Sequence, residues 1–562
     1  MPMDRGRHTL IVLGLVAMAL AWQVPAHYKP WTTFQQQWLA ALGAALIALG
    51  AILGGRSWYW PRPALVVAAT ALVPVAQGLA GQVVFLSDWL LAALYLMGFA
   101  QCVAAGHQLA DHERERWLDS LMWALLAGAA ASAAIGIAQW LQVGLPYVPI
   151  EPLEPGARVF ANLRQPNHLA TLQCIGLCAA LYHYERRTIT GPTAALLVAV
   201  MAWTLVMTQS RVGWVFAVVL AAWWWARRVG LRLSARAVVV GLLAFVCCTA
   251  LWPALNDLLF AGSVTGIDER TSGGTRPANW LAFIEASQIK PWLGWGWTQV
   301  SLAQMAIAVE RPITPEVLHN THNVFLDLVI WAGWPAAVVL SGLALWWLGR
   351  QVKACRSQDS WATLLAIAAI TIHALTEFPL DFTYFLFPLG LLVGTLHGRG
   401  PPAPPPTGGR WPALAAWLVS VGMLFWIAVE YLEVETSARN VRLLMAGVGV
   451  DTVPHVPPPH VRLLDAPREY HRLLNTPARP DMTAEQLDWM RSVTLRNHFP
   501  PALLRYALAA GLNGRPDESA RMLSAICHIN PPARCLEGRD AWHAAVQRWP
   551  KLAEVVIPPE MQ

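Results

Sequence analysis

Long apolar runs dominate the first 432 residues. They fall at 9–25, 38–54, 64–84, 87–106, 117–142, 166–184, 192–208, 212–226, 237–255, 323–349, 360–378, 383–397 and 411–432. They run from 15 to 27 residues, around the roughly 17–25 that span the hydrocarbon core of a bilayer as a helix. A backbone in hydrocarbon must satisfy its own hydrogen bonds, so such runs specify helices. The chain therefore reads as an all-α polytopic membrane protein of about thirteen transmembrane helices. Its composition agrees: 56% of residues are hydrophobic and only 13% charged, about half the charged share of a soluble domain. The 30 tryptophans suit a protein with two membrane interfaces to anchor. The first run lacks a small-residue cleavage site and reads as a retained span.

Basic residues mark the cytoplasmic side of a membrane protein. Arg5 and Arg7 precede the first run, and alternate loops carry Arg56, Arg62, Arg114, Arg116, Arg186, Arg187, Arg227, Arg228, Arg232, Arg236, Arg350, Lys353, Arg356, Arg399 and Arg410. This alternation predicts a cytoplasmic N-terminus. It also accounts for the net charge of +6, so no nucleic-acid partner is needed. An odd number of spans places residues 433–562 outside, giving a membrane domain over 1–432 and an outer helical domain over 433–562.

The tail has its own pattern. A helical stretch from Ala502 to Ala510 is followed by Asn513-Gly514-Arg515-Pro516. A second stretch from Glu518 to Cys527 is closed by Asn530-Pro531-Pro532. Helix, glycine turn, helix and proline stop is an antiparallel pair resembling one tetratricopeptide-type unit. Such a pair either binds peptide or simply packs. Cys527 and Cys535 lie on the oxidising side and form a candidate disulfide; the alternative is two unpaired small residues. Cys102, Cys174, Cys178, Cys247, Cys248 and Cys355 read as packing residues. Gly400–Gly409 is a Pro/Gly-rich linker.

One long polar loop, at about 256–321, interrupts the pattern of short turns. Loops of that length are functional or disordered. This one is rich in Trp and Gly, with Trp292-Leu293-Gly294-Trp295-Gly296-Trp297, which argues against disorder. It ends in His319-Asn320-Thr321-His322-Asn323. Arg158, Arg164, Arg211, Arg270, Arg276, Lys290 and Arg311 break the charge rule by falling outside. Few carboxylates accompany them: Glu151, Glu154, Asp268, Glu269, Glu285 and Glu310. Arginines converging on one cavity suit a phosphate, which guanidinium grips in bidentate fashion; the alternative is side chains snorkelling to the interface. His322 is the candidate general base. His319, three residues earlier, is expected to share its helical face. A His-x-x-His metal pair lacks further ligands nearby, so no metal is expected. Gln165 and His168 at one span start, and Glu377, Asp381 and Tyr384 around Pro379, are further candidates, since an acid at membrane depth is functional by default.

Phe160-Ala161-Asn162-Leu163-Arg164-Gln165-Pro166-Asn167-His168-Leu169-Ala170 resembles a segment of the PglL-type bacterial protein O-oligosaccharyltransferases. Ser210-Arg211, Arg276-x-x-x-Trp280, Pro291-x-x-Gly294-x-Gly296 and the His319–Asn323 segment resemble the core of the wider O-antigen ligase and polymerase superfamily. The resemblance covers roughly residues 60–400. It implies a GT-C-like glycosyltransferase architecture in the bacterial inner membrane, with the tail in the periplasm. It also implies a glycan donor on undecaprenyl pyrophosphate, a periplasmic protein acceptor (pilin-like or Ser-rich), and no cofactor. His322 would be the base, with Arg211 and Arg276 on the donor pyrophosphate. Gln165, Asn167, His168, Arg164, His319, Tyr384 and Glu377 would contact substrate. Direct attack on the anomeric carbon would invert it.

Three other readings stay open. One is an O-antigen ligase acting on lipid A–core, and another is an O-antigen polymerase. The third is a lipid-linked sugar flippase, which should distribute cations on both sides of the midplane; here the exceptions cluster outside.

Overall fold

The computed structural model describes residues 5–55, 57–144, 146–154, 156–260, 275–308, 316–399, 408–445 and 456–561. Arg56, Asp268, Glu269, Arg270, Glu310, Arg311 and residues 400–407 of the linker lie outside the described residues, as does the Arg114 side chain.

Each of the thirteen apolar runs overlaps a helix. Among the described residues, eight helices are long and apolar enough to cross a membrane: Phe34–Leu53, Arg62–Leu79, Leu86–Glu113, Glu115–Trp140, Gly191–Thr208, Ala235–Leu259, Val324–Ala354 and Arg410–Leu444. The other five are Arg5–Ala21, Pro166–Glu185, Arg211–Arg227, Gln358–Ala374 and Thr383–Gly398. Four of these are only 16 or 17 residues long. The fifth, Pro166–Glu185, falls short for a different reason. Every residue from His168 to His183 is buried, against neighbours that include Gly191–Thr208 and Gln358–Ala374. A helix enclosed by protein needs no lipid-compatible face, so it tolerates Thr171, Gln173 and His183. The one sheet among the described residues is a two-residue antiparallel ladder pairing Ser57 with Gly409 and Trp58 with Gly408.

Helix starts follow from local chemistry. Thr190 caps Gly191–Thr208 by accepting from the Thr193 N–H, with Pro192 in the first turn. The helix ends where Gln209 takes a left-handed conformation (φ 52°). Ser210 then caps Arg211–Arg227 by accepting from the Val212 N–H. Gln209 in its left-handed conformation thus stops one helix and Ser210, next to it, starts the other.

The chain divides into two compact units that do not follow chain order. The first comprises Met1–Thr70, Tyr95–Ser272 and Ala344–Trp426. The second gathers Ala71–Leu94, Gly273–Leu343 and Ile427–Gln562. The second unit includes five tail helices: Asp465–Asn475, Ala484–Arg496, Pro500–Leu512, Pro516–His528 and Pro532–Arg548. Its core joins Leu473, Met490, Tyr506, Leu523 and Trp542 of the tail to Phe85 and Met305. Polar ties accompany this packing. Asp465 accepts from the backbone N–H groups of Leu86 and Ser87, both at 2.8 Å, and so caps the helix beginning at Leu86. Arg496 grips Asp88 through two nitrogens, at 2.7 and 2.9 Å, and Gln299 adds a third donor to the same carboxylate.

Pro500–Leu512 and Pro516–His528 pack together across a turn at Gly514 (φ +78°). Cys527 and Cys535 are joined in a disulfide, with Cα atoms 4.5 Å apart. Cys102, Cys174, Cys178 and Cys355 are buried, in keeping with a packing role, but Cys247 is exposed and Cys248 only half-buried. Their helix, Ala235–Phe260, has few buried residues, so a packing role for Cys247 does not hold.

Candidate active site

In the first unit, Asn167 is the centre of a polar cluster. Its Oδ1 accepts from Arg158 (3.0 Å) and from the Ser210 hydroxyl (2.8 Å), and its Nδ2 donates to Glu377 (3.0 Å). Arg158 also donates to the Thr208 carbonyl at 2.7 Å. Arg158 is therefore held by acceptors at its head group, and the snorkelling reading does not describe it. The cluster ties three elements to the residue before Arg211. Arg211 opens its helix and is exposed.

One residue further on, the His168 imidazole meets the Tyr384 hydroxyl at 3.0 Å through Nδ1, and both side chains are buried. Gln165 caps the Pro166 helix, its Oε1 accepting from the His168 N–H at 3.0 Å. Arg164, with positive φ, is exposed; it lies 3.7 Å from Glu151 and donates weakly to the His27 carbonyl.

The second unit holds the histidine segment. Here the expectation that His319 and His322 share a helical face fails. Asn323 accepts from the backbone N–H groups of Phe325 and Leu326 and caps the helix beginning at Val324. The helix thus starts after both histidines. His322, half-buried, takes a left-handed conformation (φ 60°) just before that cap. Asp327, one turn into the helix, reaches back to accept from the Thr321 N–H at 2.8 Å. Arg276 begins the helix Arg276–Ile289. Four residues on, one helical turn away, the Trp280 indole donates to the Thr321 carbonyl at 2.9 Å. The Arg-x-x-x-Trp spacing thus binds the helix that starts at Arg276 to the residue before His322.

The Pro291-x-x-Gly294-x-Gly296 segment has a structural part. The helix Val324–Ala354 breaks at Gly333 (φ 83°). There the Trp295 N–H donates to the Ile330 carbonyl at 2.6 Å, and the Trp334 N–H donates to the Pro291 carbonyl at 2.9 Å. A Cβ on Gly294 would lie 2.6 Å from the Ile330 oxygen, and one on Gly333 2.4 Å from the Trp292 oxygen. Both positions also have positive φ, so only glycine fits. Lys290 lies over the Trp295 ring at 4.5 Å, a cation–π contact rather than a phosphate site in waiting.

His498, in the tail, is fully buried. Its Nε2 lies 2.9 Å from Gln304 Oε1, and Nδ1 has no hydrogen-bond partner among the described residues. Burial first, then nearby His319 and Arg496, hold its titration down to about 3. The unfolded chain binds this proton near pH 6.5, so between those values the unfolded state carries more protons. Stability from this group is present above about pH 6.5 and is lost as the pH falls toward 3. The thermal midpoint of the purified protein should fall between pH 7 and pH 5, with a contribution of up to about 1.4 kcal/mol per pH unit. His498→Gln should flatten that slope.

Among the described residues, no three His, Cys, Asp or Glu side chains gather as a metal ligand set. Asp327, Gln304 and His498 were not singled out by pattern, while Arg158 stood out only as a charge-rule exception and Ser210 and Trp280 only within motifs. Only Asn323 and Asp327 had a readable signal, a helix cap four residues before an acid in the first turn.

Comparison with known families puts names to these segments. A family described as "Protein glycosylation ligase" matches residues 159–183, the stretch holding Gln165, Asn167 and His168. One described as "O-Antigen ligase" matches 196–341, which contains Arg211, Arg276 and His322. A third, "Virulence factor membrane-bound polymerase, C-terminal", matches 361–530. The chain is 28% identical to a general O-oligosaccharyltransferase of Acinetobacter baylyi over 527 residues, 89% of each chain. The chain is thus similar to the PglL-type members of the O-antigen ligase superfamily. A ComP-specific O-oligosaccharyltransferase of the same organism is 24% identical over 392 residues, 68% of this chain and 70% of the relative. The PglL-type segment is the one that carries the Asn167 cluster. The ligase-type segment carries both arginines and the histidine.

Proposed function

We propose that this chain transfers an oligosaccharide en bloc from undecaprenyl pyrophosphate to Ser or Thr hydroxyls of periplasmic, pilin-like proteins. The observation that carries the reading is similarity over nine-tenths of both chains to an O-oligosaccharyltransferase, with the PglL-type segment within it. In the proposed step, His322 takes the proton of the acceptor hydroxyl. The acceptor oxygen bonds to the anomeric carbon as the carbon–oxygen bond to pyrophosphate breaks, and the carbon inverts. Arg211 and Arg276 receive the charge that develops on the leaving pyrophosphate, and no metal is assigned to it. Asn167 and Glu377 keep the Arg211 turn in place through Ser210, while Gln165, His168 and Tyr384 fix the start of the helix that bears Asn167. His319 and Arg164 are assigned to the substrate side because both are exposed. The proposed setting is the inner membrane, crossed thirteen times, with the 256–321 loop and the tetratricopeptide-like tail in the periplasm.

Purified enzyme, a lipid-linked glycan and a Ser-rich periplasmic protein should suffice for O-glycosylation, read as a mass shift on the acceptor. Transfer to lipid A–core with the protein left unmodified would make the chain a lipopolysaccharide ligase, the reading that the ligase-type match favours.

A further inference from the structure

Gln304 is fully buried, and three of its hydrogen bonds are assigned. Its Nε2 donates to the Glu316 carbonyl at 2.8 Å. Its Oε1 accepts from the Leu318 N–H at 2.9 Å and faces His498 Nε2 at 2.9 Å. The two backbone partners fix which end of the amide is oxygen. His498 Nε2 must then be the donor and carry a proton. The rings of His319 and His498 are 6.2 Å apart, and those of His319 and Phe499 are 5.8 Å apart. The segment before His322 is thus pinned twice. Gln304 and His498 hold residues 316–318, and Trp280 with Asp327 holds Thr321. His322 is the next residue.

We propose that His498 and Gln304 are positioning residues for His322, so that the C-terminal helices belong to the machinery of transfer and not only to acceptor capture. The inference rests on the reading of His322 as the base. A loop held at one end only can pivot about the other. A misplacement of about 1 Å at a general base costs on the order of 10²-fold in rate. The same geometry predicts that loss of either partner acts on the chemical step, because neither side chain is exposed to meet a substrate.

The test uses the full-length protein with lipid-linked glycan and protein acceptor. His498→Leu and Gln304→Leu should each lower kcat by about ten- to a hundredfold, with KM for donor and acceptor nearly unchanged. The double variant should be no worse than the poorer single variant, since both break one clamp. His498→Gln, which restores an N–H donor near the Nε2 position, should recover most of the rate. Hydrogen exchange should rise in residues 316–323 and stay at the wild-type level in Pro516–His528. Unchanged kcat in both single variants, losses that multiply in the double, or a change confined to KM would each overturn the proposal. Should His498→Leu fail to fold, Gln304→Met and His498→Gln give the same comparison. His322→Ala separates the two readings. If it retains transfer, the base assignment falls and the positioning proposal falls with it, whatever His498→Leu does. If it abolishes transfer while the clamp variants keep kcat, the clamp falls alone.

Discussion

His322→Ala is expected to give an abundant, membrane-inserted protein whose transfer rate is lower by about 10²–10⁴-fold, the usual contribution of a general base. The residue sits before the helix cap made by Asn323, not within the helix. Its removal therefore breaks no ladder hydrogen bond, and the strain of the left-handed backbone is one the native histidine already bears. The thermal midpoint should fall only slightly while turnover collapses. His319→Ala provides the contrast: its ring rests against His498 and Phe499, so it should cost stability as well as rate. Near-normal transfer by His322→Ala, with transfer lost in His319→Ala, would show that the base had been misassigned.

Arg211→Lys and Arg276→Lys are each expected to lower transfer by about 10²–10³-fold, the loss seen when one donor to a developing anion is removed. Lysine keeps the charge but loses the planar fork that pairs with two phosphate oxygens. Both arginines open a helix, where the backbone N–H groups already favour an anion. The charge alone is thus partly supplied by the backbone, and the fork is what the substitution removes. Donor affinity should weaken alongside kcat, because pyrophosphate is bound before it leaves. Wild-type transfer by both lysine variants would reduce the arginines to structural residues.

The membrane part was legible because its signal has the same length scale as a helix crossing a bilayer. Every apolar run lies on a helix, and Pro166, Ser210 and Gly514 mark boundaries where the sequence suggests them. What could not be read was pairing over long sequence distance. Asp88 is a lone acid at the head of an apolar run, and nothing nearby in sequence announces Arg496, 408 residues later. Asn167 and Glu377 were each singled out, but their shared hydrogen bond spans 210 residues. The His-x-x-His spacing misled for a local reason: a helical period means nothing where the helix has not begun, and Asn323 delays its start. The division into units was also hidden, since three separated segments make up the second.

That three-segment construction sets an order of events during synthesis. The clamp on the His322 segment includes His498, encoded 176 residues later. At about 5–20 residues per second, a nascent chain waits on the order of ten to thirty seconds between the two. Through that interval the ribosome-bound protein already has the arginines and the histidine proposed for transfer, but not the proposed second hold on that histidine. Nascent chains stalled before residue 496 should therefore transfer about ten- to a hundredfold more slowly than chains that have passed it.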